Sequence, residues 1–235
     1  MALEQMCTSN HGTWNDPVCS VPAREHMDYS SYAFTEMEIT GDGVPVVTFI
    51  ANGALTQLRC VKPQAKLNVM GTAKGNLGVQ CDASSLTLSG IGLADLTTTA
   101  EEGLVLNDVT LGGSVTLKDP ASMTSIHLYD MTYHLGNNMF AGVTSADVIL
   151  ELVTMVHSGY PLFPRDMTYT GTLRILKDVI GAYVVGSAGR VKVSFDGQTA
   201  WLRSSQEPPG ANQGWPSITY PVTPAPKNNG VTTHP

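Results

Sequence analysis

Leu86-Thr-Leu88-Ser-Gly-Ile91-Gly-Leu93, Leu104-Val-Leu106-Asn-Asp-Val109-Thr-Leu111 and Ile126-His-Leu128-Tyr-Asp-Met131-Thr-Tyr133 are three copies of one pattern. Each reads apolar-x-apolar, two small or turn-forming residues, then apolar-x-apolar. In a flat strand side chains alternate faces with period two. Leu86 and Leu88 therefore share a face, and strict alternation would send Ile91 and Leu93 to the other. The phase slips at the two-residue insert. One β-bulge can do this once. Three slips at the same place predict a bend that keeps both halves facing one interior, as in a rung of a β-solenoid.

The period extends upstream. Val47-Thr-Phe49 and Leu67-Asn-Val69 precede the three copies, so rung starts fall at 47, 67, 86, 104 and 126, with steps of 20, 19, 18 and 22. The competing architecture is an antiparallel β-sandwich or jelly roll. Val109-Thr-Leu-Gly-Gly-Ser-Val115-Thr-Leu117 supports it, because Gly112-Gly113 reads as a two-residue hairpin turn. The fold class expected is mainly β with one helix, as a short β-solenoid-like stack.

Cysteine positions supply an internal check. Cys60 lies 13 residues after Val47, and Cys81 lies 14 after Leu67. If those positions open consecutive rungs, the two cysteines are neighbours. Equivalent Cα atoms would stand about 4.8 Å apart, within disulfide reach of about 4.4–6.8 Å.

The helix is expected over about 144–158. Thr144 stands where a cap would, with Asp147 three residues on. Val148, Ile149, Leu152, Val153 and Val156 then fall at i, i+1, i+4, i+5 and i+8, one helical face. Ser158-Gly159 and Pro161 would end it.

Around this centre the chain divides into three. Residues 1–33 read as an irregular N-terminal arm. Residues 34–204 read as the β domain, subdivided into 34–135 and 167–204 with the helix between. The second part alternates cleanly and reads as antiparallel, with an Asp-Gly turn inside Phe195-Asp-Gly-Gln-Thr199. Residues 205–235 read as an extended C-terminal arm. From Pro208 onward it holds 7 of the chain's 14 prolines, which remove ladder donors and favour extended backbone. Trp215, Ile218, Tyr220 and Val222 are its apolar anchors, placed to dock on a neighbouring subunit.

Composition narrows the function. Charged residues make up 14% of the 235, with net charge −7, against a usual charged share of about 25%. No basic patch exists to neutralise phosphates, so direct nucleic-acid binding is not expected. No run approaches the roughly 18 apolar residues of a membrane helix. The N-terminus lacks the basic start and apolar run of a secretory signal. No nucleophile elbow, zinc-protease, P-loop or dinucleotide motif occurs, and no cofactor is expected.

Two constellations carry candidate chemistry. Cys7, His11, Cys19 and His26 could supply zinc ligands, but C-x3-H-x7-C-x6-H lacks the close pairs of structural zinc sites. Asp108 and Asp130 hold the same place in successive copies. Paired carboxylates about 5 Å apart suit a cation or a retaining glycosidase, although Asp is also a favoured turn residue. His127, between Ile126 and Leu128, should point away from the core.

The short period and extended arms are broadly similar to virion structural proteins of bacterial and archaeal viruses. Two functions follow as expectations. The first is a non-enzymatic structural subunit of a large homo-oligomer, foremost a virion capsid or tail protein assembled in a host cytoplasm, its partners being copies of itself and other assembly proteins. The second is a carbohydrate-binding or carbohydrate-cleaving solenoid using Asp108 and Asp130.

Overall fold

The repeated pattern builds a stack of parallel strands. The computed structural model describes residues 2–71, 76–134, 139–156, 169–177, 183–184, 190–195, 198–203 and 232–233. Helix α1 (Leu3–Ser9) is followed by β1 (Thr13–Asn15), β2 (Val18–Val21), β3 (His26–Asp28), β4 (Glu36–Ile39), β5 (Val47–Ala51), β6 (Gln57–Cys60), β7 (Gln64–Gly71), β8 (Leu77–Gln80), β9 (Ala83–Thr98), β10 (Gly103–Leu111) and β11 (Val115–Leu117). Then come a 3-10 turn (Pro120–Ser122), β12 (Ser125–His134), β13 (Asp147–Val156), β14 (Thr172–Lys177), β15 (Tyr183–Val184), β16 (Arg190–Phe195), β17 (Gln198–Arg203) and β18 (Thr232–Thr233). The chain forms two compact units, Met1–Lys118 and Asp119–Pro235. The molecule is a β-solenoid. Among the described residues no helix is long and apolar enough to cross a membrane.

In the first unit, one face stacks β3, β5, β7, the first half of β9, and β10, all parallel. The other stacks β2, β4, β6, β8, the second half of β9, and β11. Register lines up like residues. Val47, Leu67, Leu86 and Leu104 form one inward column, and Met27, Phe49, Val69, Leu88 and Leu106 the next. All nine are buried. Each such side chain contributes about 1.5–3 kcal/mol by leaving water, which no single rung could achieve alone.

The phase slip has a backbone cause. Gly90, Asp108, Asp130 and Leu152 all have positive φ, at 64°, 52°, 47° and 54°. Each is the second residue of its two-residue insert. One left-handed residue reverses the local turn of the chain, so the next apolar side chain returns to the interior. Ile91 and Leu93 accordingly pair with Val109 and Leu111, and all four are buried.

Several expectations are corrected. Residues 147–156 are strand β13, parallel to both β12 and β14, and not part of a helix over 144–158. Val148-Ile-Leu150, Glu-Leu, Val153-Thr-Met155 is a fourth copy of the pattern. Apolar Ile149 and Leu152 disguised it, because i, i+1, i+4, i+5 spacing also fits two strand halves either side of a slip. Asp147 does not cap a helix; its Oδ1 accepts the Thr172 amide at 3.1 Å. Among the described residues the only α-helix is α1.

Gly112-Gly113 is no hairpin turn either. Val109–Leu111 pairs with Ile91–Leu93, and Val115–Leu117 with Leu96–Thr98. A side chain on Gly113 would stand 1.8 Å from the Ala94 carbonyl oxygen, so glycine permits the close stacking of two corners. Residues 1–33, expected to be irregular, contain α1 and three strands, and β2 and β3 already belong to the two stacked faces. Their strands of three or four residues are too short to show a period. In the second unit β14 and β16 run parallel, and among the described residues only β16 and β17 form the expected antiparallel pair. Of the C-terminal arm, Thr232–Thr233 pairs parallel with Tyr183–Val184.

A left-handed conformation costs an ordinary L-residue roughly 1–2 kcal/mol, while aspartate visits it more readily. Leu152→Asp, which repeats the residue at 108 and 130, is therefore expected to leave stability unchanged or raise it by up to about 1 kcal/mol, measured by urea unfolding. On a buried helical stripe the same charge would lower stability by several kcal/mol; that result would contradict the corner.

Candidate functional site

The zinc candidates are accounted for by other chemistry. Cys7 and Cys19 form a disulfide, with Cα atoms 5.7 Å apart, so neither offers a thiolate. His11 has φ 60° and follows α1; its amide donates to the Thr8 carbonyl at 3.0 Å. It is the left-handed residue that ends the helix, a position histidine tolerates better than most. His26 is exposed on β3, one side chain along from Asp28. The Ser30 hydroxyl and amide bind that carboxylate and hold it below the usual range. Among the described residues no three His, Cys, Asp or Glu side chains gather as a metal site.

Cys60 and Cys81 are also bonded, with Cα atoms 4.6 Å apart. They link β6 to the end of β8, adjacent strands of one face. Nearby, Lys118 donates to Asp82 Oδ2 at 2.7 Å and Lys62 approaches Asp42 at 3.6 Å. Lys62 and Asp42 are both more than half exposed, and pairs of that kind contribute little.

Asp108 and Asp130 are both exposed. Asp108 stands beside Gly90 in the first unit: Asn107 pairs with Ser89 and Val109 with Ile91. A Cβ on Gly90 would lie 2.8 Å from the Gly71 carbonyl oxygen and 3.8 Å from Asp108 Oδ2. Glycine is thus required at 90, whereas 108 has room for a side chain. Asp130 stands beside Leu152 in the second unit. The left-handed backbone by itself favours an Asp at both positions. Trp215, Ile218, Tyr220 and Val222 lie outside the described residues.

A further cluster, not singled out by sequence, comes together on the second unit. Parallel register sets His127 beside Ile149, and Ile149 beside Arg174. Tyr129 lies directly across from Glu151. All five are outward positions of β12, β13 and β14, half-buried except for exposed Arg174. The His127 and Tyr129 rings meet edge to face at 6.3 Å. His127 Nε2 is buried without a hydrogen-bond partner. The alternation His127-Leu-Tyr129 was legible, but Glu151 joins them only once 147–156 is a strand.

The chain matches no known family model, no curated protein and no solved structure.

Cys60→Ser/Cys81→Ser is expected to lower stability by about 3 kcal/mol, from a closed loop of roughly 20 residues. Urea unfolding with and without reductant checks this. A double variant as stable as the parent would show that stacking alone holds these rungs.

Proposed function

We propose that this chain is a non-enzymatic structural subunit of a large homo-oligomeric assembly, foremost a virion capsid or tail protein. The carrying observation is that the stacked ladders end in strands paired on one side only: among the described residues β1 pairs only with β2, β3 only with β5, and β17 only with β16. A strand edge without a partner presents amides and carbonyls that recruit another strand. Such edges suit a subunit that adds to neighbouring copies.

Composition supports the same reading. With charged residues at 14%, the surface relies on Thr, Ser, Asn and Gly, which are cheap to desolvate against another protein compared with charges. The two disulfides fit a particle made in a reducing cytoplasm and oxidised after release. The partners are then copies of this chain and other proteins of the particle.

Size exclusion with light scattering tests this. The intact chain should elute well above its 25.0 kDa monomer mass. Deletion of residues 205–235 should weaken association while the far-ultraviolet β signal persists. A monodisperse monomer at every concentration would sink the proposal.

A further inference from the structure

We infer that Cys7–Cys19 is a redox latch: oxidised, it holds α1 and β1 over the outer edge of β2, and reduced, it frees that edge to pair with β2 of a second copy. This does not rest on the assembly reading, since it concerns a difference between two redox forms of one chain.

The covering segment has almost no hold of its own. Of residues 2–17, Cys7 alone is buried. Helix α1 has 7 residues, and isolated helices below about 12–15 residues are marginal in water. Strand β1 buries no side chain and meets β2 in three residue pairs, Thr13–Ser20, Trp14–Cys19 and Asn15–Val18. A lone hairpin of that kind is marginal too. What else ties the segment down is a Trp14–Phe34 ring contact at 6.3 Å and the Arg24 guanidinium donating to the Asn10 carbonyl at 3.1 Å. The one buried side chain is therefore also the covalent tie.

Beneath it lies the end of the stack. Cys19 and Val21 are the inward residues of β2, paired in register with Met37 and Ile39, and all four are buried. The turn after α1 closes over them: a Cβ on Gly12 would stand 2.7 Å from Cys7 Sγ and 2.9 Å from Val21 Cγ1. The sulfurs sit under this turn, so a thiolate reaches them when the turn moves, as local openings allow.

The chemistry is thiol–disulfide exchange with a dithiol reductant. One of its thiolates attacks a sulfur of Cys7–Cys19 to form a mixed disulfide, and its second thiolate resolves that bond. Two electrons and two protons pass to Cys7 and Cys19, which become thiols, and the dithiol leaves as a disulfide. Cys19 is then a small buried apolar residue, so the stack beneath stays folded.

The topology names the occupant. β2 is the first strand of one ladder and β3 of the other, and among the described residues β3 pairs only with β5. β1 thus covers one of two strand edges at this end of the first unit, and its departure leaves both open. β1 lies antiparallel to β2. A two-fold axis brings β2 of a second copy to the same edge antiparallel, a self-complementary contact that closes at two.

The full chain carrying Cys60→Ala/Cys81→Ala keeps Cys7–Cys19 as its one disulfide, and tests the latch with and without dithiothreitol. Hydrogen exchange by mass spectrometry should show residues 2–15 exchanging about tenfold faster on reduction, while β5 and β7 keep their protection. Light scattering should show the mass doubling on reduction and returning on reoxidation. Full chain with Cys7→Ala/Cys19→Ala and Cys60–Cys81 intact should behave as the reduced form without reductant. Three outcomes would overturn the inference: residues 2–15 as protected after reduction as before, exchange that rises equally through β5 and β7, or a mass that stays constant or climbs without a defined endpoint.

Discussion

One left-handed residue in each of four successive rungs is the constraint on which the rest depends. A β-strand alternates faces, so a continuous apolar ribbon cannot wrap an interior unless its phase is reset at a bend. Gly90, Asp108, Asp130 and Leu152 perform that reset with positive φ. The cost falls unevenly. Glycine carries none, aspartate little, and leucine the most. What repays it is the interior: Leu86, Leu88, Ile91 and Leu93 all buried from a stretch of eight residues, and each stacked on its counterpart one rung away.

The other devices stabilise the stack at points where the ladder alone is thin. Cys60–Cys81 clasps the ends of the adjacent strands β6 and β8. Cys7–Cys19 ties the short helix to β2, and Trp14, Tyr29, Tyr32, Phe34 and Phe49 form a chain of ring contacts, each ring 5.4–6.3 Å from at least one other. In the second unit Tyr133 and Tyr169 are buried, which pushes the Tyr133 phenol up to about 12 and raises Tyr169 as well; Tyr169 donates to the Ala146 carbonyl at 2.6 Å.

Much of the architecture was legible because burial is periodic. The three copies from Leu86 to Tyr133 showed both the rung and its corner, and the rung length placed Cys60 near Cys81. The fourth copy was hidden by chance chemistry. Ile149 sits outward and Leu152 sits at the corner, and two apolar residues in those places turn a strand-slip-strand pattern into a helical stripe. Propensity could not arbitrate, since only stacking on β12 distinguishes the two. That single misreading also concealed the Tyr129–Glu151 row. Asp108, Asp130 and His11 all sit at positive φ, a conformation that favours those residue types whatever chemistry they carry. Spacing in sequence does not reveal a positive φ, so a structural aspartate and a catalytic one look alike there.

The most direct measurement is the intraresidue amide–Hα cross-peak intensity in nuclear Overhauser spectra of the labelled protein, which is strong where φ is positive and weak in extended strand. The expected result is a strong peak at Asp108, Asp130 and Leu152, flanked by weak ones at Asn107, Tyr129 and Glu151. Interstrand contacts should join Val148 to Ile126. Weak peaks at all three corners, or a run of sequential amide–amide contacts through 147–156, would contradict the left-handed corner as the basis of the fold.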